Sequence, residues 1–150
     1  MTKAIRIHAN GGPEVMHLED VPAPEPGPGE ALVHHAAVGL NYIDVYFRTG
    51  LYKTSLPAII GMEASGTVTA IGAGVAAVAV GDRVAYASAP IGAYATDRVI
   101  AADRLVKLPD GIDFKTAAAM MLQGMTAQYL LRRTHRVQPG ETILPVPPIK

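Results

Sequence analysis

The polar side chains best suited to binding a small molecule are concentrated in residues 41–52. Amides and hydroxyls exchange hydrogen bonds with carbonyl and hydroxyl groups, and tyrosine rings offer flat faces to a planar ligand. An apolar run follows this segment and ends at Gly61, Met62 and Glu63. The chain has no cysteine, which excludes thiol catalysis. The polar set consists of Asn41, Tyr42, Asp44, Tyr46, Arg48 and Tyr52.

The sequence predicts no metal centre. Catalytic zinc takes about three protein ligands from cysteine, histidine or carboxylate, and Glu63 beside the thioether of Met62 does not meet that need. His34 and His35 are adjacent on a predicted strand, so their side chains point to opposite faces. The remaining histidines, at positions 8, 17 and 135, show no ligand spacing.

Structural roles compete with chemical ones for several of these residues. Asn41 is a plausible helix N-cap, and that role is compatible with ligand binding. Asp44 and Arg48 are four residues apart on a predicted helix, and we favour a simple ion pair over catalysis for them. Glu63 stands in an apolar context, so we expect it to accept hydrogen bonds from buried donors rather than to transfer protons.

Composition indicates a globular protein with one ordinary core. The chain has 150 residues, 49% of them hydrophobic and 17% charged. Thirteen basic residues balance thirteen acidic ones, which gives no basic excess for nucleic acid. No apolar stretch reaches the roughly 20 residues of a membrane span, and the first residues do not form a secretory signal. We therefore expect a cytoplasmic protein without membrane or nucleic-acid partners.

Short β-rich runs alternate with glycine- and proline-rich turns before residue 113, which predicts a β-barrel-like domain. Asn41 precedes a predicted short helix that ends before Gly50. The prolines of residues 22–29 predict a loop, because proline cannot donate to a strand ladder. Strands are predicted at 4–7, 17–21, 31–38, 66–71, 83–87, 93–100 and 105–108.

The segment from Asp113 onward is rich in alanine, methionine, leucine and glutamine, which predicts helix. Asp113 is the predicted cap of a first helix, and Gly124 is predicted to end it. A second helix would open at Thr126, with Gln123 and Thr126 as caps at the break. A turn at 138–140 and an apolar strand at 141–144 complete the predicted elements.

One glycine pattern imitates a dinucleotide-binding turn. Gly72, Gly74 and Ala77 follow an apolar strand in the G-x-G-x-x-A form. The segment that follows is too short and too rich in valine for the required helix, and Asp97 lies inside a predicted strand. We therefore predict a hairpin or barrel-corner turn here.

The sequence ends on Pro145, Pro147 and Pro148 within four residues. Each proline removes a ladder donor, so the strand predicted at 141–144 is not expected to continue. Two readings remain open, a plain tail and a fragment of a longer protein, and we favour the fragment.

An ordered series of motifs covers the whole chain except its last six residues. The motifs are Gly11-Gly12-Pro13-Glu14-Val15, residues 41–52, Gly61-Met62-Glu63-Ala64-Ser65-Gly66, Gly81-Asp82-Arg83-Val84, Gly92-Ala93-Tyr94-Ala95 and Gln123-Gly124-Met125-Thr126. Together they resemble the zinc-free quinone oxidoreductase branch of the medium-chain dehydrogenase/reductase family. Zinc enzymes of that superfamily carry cysteine near position 41 and histidine near 62, where this chain has Asn41 and Met62.

The resemblance implies a fold that is mainly β with short helices. Residues 1–112 would form a GroES-like, partly open β-barrel that acts as the catalytic domain. Residues 113–150 would supply two helices and the first strand of a truncated Rossmann domain. The longer family member would be a homodimer.

The resemblance also implies NADPH-dependent reduction of a quinone by hydride transfer without metal. Alternatives are a non-catalytic GroES-like module and a zinc-free enoyl reductase. The implied catalytic residues are Asn41, Asp44, Tyr46 and Tyr52. The implied cofactor-binding residues are Asn41, Tyr42, Ile43, Asp44, Val45, Tyr46, Gln123, Thr126 and Tyr129.

Overall fold

The computed structural model describes residues 1–143, which form an antiparallel β structure with two α-helices. The helices are α1 (Tyr42–Thr49) and α2 (Phe114–Tyr129). The strands are β1 (Thr2–Ile7), β2 (Met16–Val21), β3 (Glu30–Gly39), β4 (Ala58–Ile59), β5 (Glu63–Ile71), β6 (Arg83–Tyr86), β7 (Asp97–Ala101) and β8 (Val106–Lys107).

The strands form two sheets that meet along β1. A three-stranded sheet has the order β2-β1-β4, and a five-stranded sheet has the order β7-β3-β5-β6-β8. An isolated bridge between Ala4 and Ala95 joins them. The sheets meet there without closing, so the predicted class of a mainly β fold with a partly open barrel is confirmed.

Strand β3 is the longest and lies in the larger sheet between β7, at one edge, and β5, the central strand. Ala31 and Val33 point into the core, as the alternation of a half-buried strand requires. Register shifts near Leu32 and His35 bend the strand, as β-bulges do. Because β3 and β5 are antiparallel, the last residues of β3, which precede α1, pair with the start of β5.

Before residue 113, the predicted strands match the structure except near three short segments. The strand predicted at 93–100 is wrong in its first half, because β7 begins at Asp97 and the preceding residues turn to meet β1. Strand β4 went unpredicted since it has two residues and follows a proline. Strand β5 begins at Glu63, three residues before the predicted start, because a charged residue is not typical of a buried strand.

Helix α2 contradicts the predicted break at Gly124. The helix runs unbroken from Phe114 to Tyr129 and continues into a π-helical turn. Gly124 tolerates the helix because its cost, about 1 kcal/mol, is smaller than the gain from the packed N-terminal half. Thr126 does not open a second helix. It lies inside α2, where its hydroxyl donates to the carbonyl of Leu122, one turn earlier. Asp113 caps the helix as predicted, accepting from the Thr116 amide at 2.8 Å.

The false nucleotide fingerprint is a turn, as predicted. No helix follows Gly72 and Gly74 within the described residues, and Gly74 has a φ of 79°. Gly72 approaches the backbone so closely that a Cβ there would lie 1.8 Å from the carbonyl oxygen of Gly27. Gly72 therefore permits a close approach of two backbone segments, and Gly74 permits the left-handed conformation of the turn.

The predicted turn at 138–140 is present, with Gly140 at a φ of 89°. The strand predicted at 141–144 is wrong for residues 141–143, which lie in no strand. A strand needs a partner for its backbone groups, and no described strand pairs with this segment. Residue 144 and the proline-rich end lie outside the described residues.

Candidate ligand-binding site around α1

Helix α1 starts and ends on the residues that the sequence singles out. Asn41 occupies the N-cap position, and Asp44 Oδ2 accepts a 2.9 Å hydrogen bond from its backbone amide. Gly50 closes the helix in the left-handed conformation at a φ of 82°, which favours glycine. The side-chain amide of Asn10 donates to the carbonyls of Phe47 and Arg48 near this end. Both ends of the helix are therefore held by defined partners.

Four aromatic rings form a cluster on α1 and the turn after it. The ring centroids of Tyr42 and Tyr46 are 5.2 Å apart, and those of Tyr46 and Tyr52 are 5.3 Å apart. Phe47 meets Tyr52 edge to face at 5.6 Å. Tyr42 and Tyr52 are 52% and 44% exposed, so the cluster offers aromatic surface to a planar ligand.

Asp44 faces the opposite way, into the protein, and is 2% exposed. Its Oδ2 accepts hydrogen bonds from the Asn41 backbone and the Tyr94 hydroxyl. Its Oδ1 has no hydrogen-bond partner among the described residues. Burial raises the pKa of this carboxyl above its usual value, although both hydrogen bonds oppose the shift.

The predicted ion pair between Asp44 and Arg48 is wrong. No salt bridge joins them in the described part of the chain, and Arg48 Nε donates instead to the carbonyl of Gly11 at 3.2 Å. Asp44 points toward Tyr94, which tertiary structure alone brings to α1. The four-residue spacing permits an ion pair between Asp44 and Arg48, but Asp44 accepts a hydrogen bond from Tyr94 instead.

Glu63 satisfies buried donors, as predicted. The residue is fully buried at the start of β5. Its Oε1 accepts from Asn41 Nδ2 and its Oε2 from the backbone amide of Leu122, each at 2.7 Å. Glu63 therefore joins the start of α1 to the middle of α2.

This link brings part of the predicted cofactor set toward α1. Gln123 follows Leu122 and is exposed, and Thr126 lies one turn further along α2. Tyr129 is 60% exposed near the end of the helix. The roles assigned to these three residues stay predictions, as do those of Ile43 and Val45 on α1.

A cavity of about 510 Å³ lies beside α1, between that helix and the strands β1 and β3. Asp44, Val45 and Arg48 line it from the helix, and His35 and Tyr94 line it from the sheets. Tyr94 went unassigned in the sequence, although it stands inside the motif at 92–95. Its place in that motif was the one indication of a role for Tyr94. The sequence does not show that Tyr94 contacts Asp44.

His35, which is half-buried and lines this cavity, forms a hydrogen bond with the fully buried Tyr86. His35 Nδ1 lies 2.7 Å from the carbonyl of Ala95, so Nδ1 carries the hydrogen and Nε2 accepts from the Tyr86 hydroxyl at 3.0 Å. Burial lowers the pKa of His35 and raises that of Tyr86. Burial and these two hydrogen bonds therefore favour the neutral imidazole.

The described residues contain no group of three or more histidine or carboxylate side chains placed to hold a metal ion. Met62 is buried at the position next to Glu63. The amide of Asn41 and the thioether of Met62 are poor zinc ligands.

The antiparallel, partly open barrel with a helix entering from β3 defines a GroES-like domain. A profile of the alcohol dehydrogenase GroES-like domain matches residues 27–141. The chain therefore belongs to the alcohol dehydrogenase GroES-like domain family.

Individual relatives support the same placement. A quinone oxidoreductase of Pseudomonas aeruginosa is 53% identical over 145 residues, which are 96% of this chain and 45% of the relative. A 2-haloacrylate reductase of a Burkholderia species is 39% identical over 150 residues, with 96% and 45% covered. The crystal structure of Escherichia coli quinone oxidoreductase with NADPH superposes with a TM-score of 0.91 at 43% identity, covering 93% of this chain and 43% of that one.

The chain thus spans less than half the length of these relatives. No described helix has the length and apolar character that a bilayer crossing would require.

Proposed function

We propose that this chain forms the substrate-side wall of an NADPH-dependent quinone oxidoreductase, which transfers hydride from a nicotinamide to a quinone without a metal. The observation that carries the proposal is the aromatic cluster of Tyr42, Tyr46 and Tyr52, in which Tyr42 and Tyr52 are exposed. The domain division at 112/113 and a homodimer of the longer protein belong to the same proposal and rest on the resemblance. A cytoplasmic location also belongs to it and rests on the sequence composition.

Quinone chemistry suits this wall. A quinone ring is flat and electron-poor, so it stacks on electron-rich tyrosine faces. The hydride acceptor is already activated, and the oxyanion formed is a stabilised phenolate, so no Lewis acid is needed. The chain's contribution is then position and electrostatics.

The residues present fit the nicotinamide end of NADPH, which supplies the hydride when bound. Tyr42 and Tyr52 offer exposed aromatic surface. Asn41 offers an amide at the start of α1, and Gln123 offers one on α2, next to the residue whose backbone amide donates to Glu63. These side chains would orient the carboxamide and ring. The crystal structure of the Escherichia coli relative in complex with NADPH supports NADPH as the cofactor.

The test follows the loss of NADPH absorbance in the presence of a 1,4-quinone. We expect turnover by a longer protein that carries this chain, and its loss in a Tyr46→Ala variant. A Val106→Ala variant, altered at an exposed residue of β8, is the matched control and keeps its turnover. Absence of turnover in a folded protein of full family length would favour a non-catalytic module and overturn the proposal.

A second candidate is reduction of a carbon–carbon double bond conjugated to a carbonyl. The relative named 2-haloacrylate reductase favours it. The same assay with a trans-2-enoyl thioester and with a quinone separates the two reactions. Turnover of the thioester alone would select this second function.

A further inference from the structure

Glu63 receives two donors from parts of the chain that are otherwise separate. Asn41 Nδ2 comes from the entrance to α1, and the Leu122 amide comes from the middle of α2, each at 2.7 Å. The carboxylate is fully buried, so water does not replace either donor. Each oxygen of the carboxylate holds one of them.

The surroundings of Glu63 leave it little freedom to move. A Cβ built on Gly39 would lie 2.3 Å from both the Cγ of Glu63 and the carbonyl oxygen of Ala118. The end of β3 therefore touches both the carboxylate and α2. Ser65, two residues along β5, anchors the start of α2 by donating to the carbonyl of Phe114 at 2.6 Å. The carboxylate is thus fixed relative to both helices.

A carboxylate that only accepts hydrogen bonds also fixes the orientation of an amide. Because Glu63 Oε1 takes a hydrogen of Asn41 Nδ2, the amide cannot flip without bringing two oxygen atoms together. The orientation of Asn41 therefore depends on where α2 holds Glu63.

We propose that Glu63 is a positioning residue that couples the orientation of the Asn41 amide to the seating of α2. The proposal rests on the proposed function only in taking Asn41 as a ligand contact. In the longer protein, a shift of α2 would move Glu63, and the movement of Glu63 would change the orientation in which the Asn41 amide faces the ligand.

Hydrogen exchange at the Leu122 amide, measured by nuclear magnetic resonance on this chain, tests the coupling. We expect Asn41→Ser to speed exchange at Leu122 by about fivefold, which corresponds to the net value of one hydrogen bond. The control is Asn10→Ser, which removes an amide from the other end of α1 without touching Glu63. Equal exchange at Leu122 in both variants would overturn the coupling.

A swapped pair separates positioning from simple packing. Glu63→Gln keeps the size but offers one acceptor to two donors, so we expect faster exchange at Leu122. Combining it with Asn41→Asp interchanges donor and acceptor and restores both hydrogen bonds. Recovery of slow exchange in the double variant supports the proposal, and failure to recover in a folded double variant contradicts it. Neither arm uses NADPH or quinone, so the outcome is independent of the proposed activity.

Discussion

The hydroxyl of Tyr94 donates a 2.8 Å hydrogen bond to Oδ2 of Asp44, which ties the segment before β7 to the first turn of α1. The same oxygen accepts from the backbone of Asn41, while Oδ1 has no partner in the described residues. Burial and the carboxylate beside it raise the pKa of Tyr94, so the phenol stays a donor. Both observed hydrogen bonds of the Asp44 carboxylate are therefore accepted by Oδ2.

This arrangement predicts that Asp44→Asn is tolerated. The carbonyl oxygen of an asparagine can take the place of Oδ2 and keep both donors, and the variant removes a buried charge. We expect its free energy of unfolding at neutral pH to stay within about 1 kcal/mol of that of the unaltered chain, because loss of the buried charge offsets the unpartnered amide nitrogen that replaces Oδ1. Asp44→Ala, which loses both hydrogen bonds, should cost about 2 kcal/mol. Urea unfolding checks both values, and a large loss in Asp44→Asn would contradict the arrangement.

The raised pKa of Asp44 also predicts a pH dependence. The folded chain holds the proton on Asp44 more tightly than the unfolded chain, whose carboxyl has a pKa near 3.8. The contribution of Asp44 to stability therefore falls as pH rises from that value through the raised pKa. Unfolding measured across the acid range should show the unaltered chain losing stability relative to Asp44→Asn as pH rises.

His35 predicts the opposite slope. Burial lowers its pKa below 6.5, so the unfolded chain binds the proton more readily. Its stabilising contribution is present above pH 6.5 and is lost as pH falls through the lowered pKa. We expect His35→Gln to flatten this part of the stability profile. The exposed His17, changed in the same way, serves as control, and an unchanged slope in His35→Gln would count against the buried neutral imidazole.

Two glycines should respond in opposite ways to alanine. A Cβ on Gly72 would lie 1.8 Å from the backbone oxygen of Gly27, so Gly72→Ala should cost about 3 kcal/mol. Gly124 lies inside α2 with nothing within 4 Å of its added Cβ, so Gly124→Ala should stabilise by about 1 kcal/mol. Thermal unfolding of the pair measures both effects. A Gly124→Ala variant less stable than the parent would argue against the unbroken helix.

Tyr46 lies at the centre of the aromatic cluster, in contact with Tyr42 and Tyr52. If stacking holds the quinone, Tyr46→Phe keeps its affinity within about twofold, and Tyr46→Ala loses about tenfold. Titration of the chain with a 1,4-quinone, followed by tyrosine fluorescence, gives both constants. An equal loss in the two variants would show that the hydroxyl, rather than the ring, makes the contact.

Local sequence patterns determined much of this protein. Alternating residues and turn residues predicted most strands, Asp113 and Asn41 marked helix starts, and Gly50 marked a helix end, because these signals act through neighbouring backbone groups. The glycines at 72 and 74 were read correctly as a turn, since the required helix does not follow. The ordered motifs predicted the family.

Tertiary structure decided the contacts of the site. The partner of Asp44 is Tyr94, far along the chain, and not Arg48. Asp44 is buried, so it accepts a hydrogen bond from a residue inside the protein rather than forming an ion pair along the helix surface. The break predicted at Gly124 is absent because packing of α2 outweighs a weak local preference. The sequence predicted that Glu63 satisfies buried donors, but only the fold shows that Asn41 and Leu122 are those donors. Hydrogen bonds between distant segments leave no local pattern, so they appear only once the sheets and helices are packed.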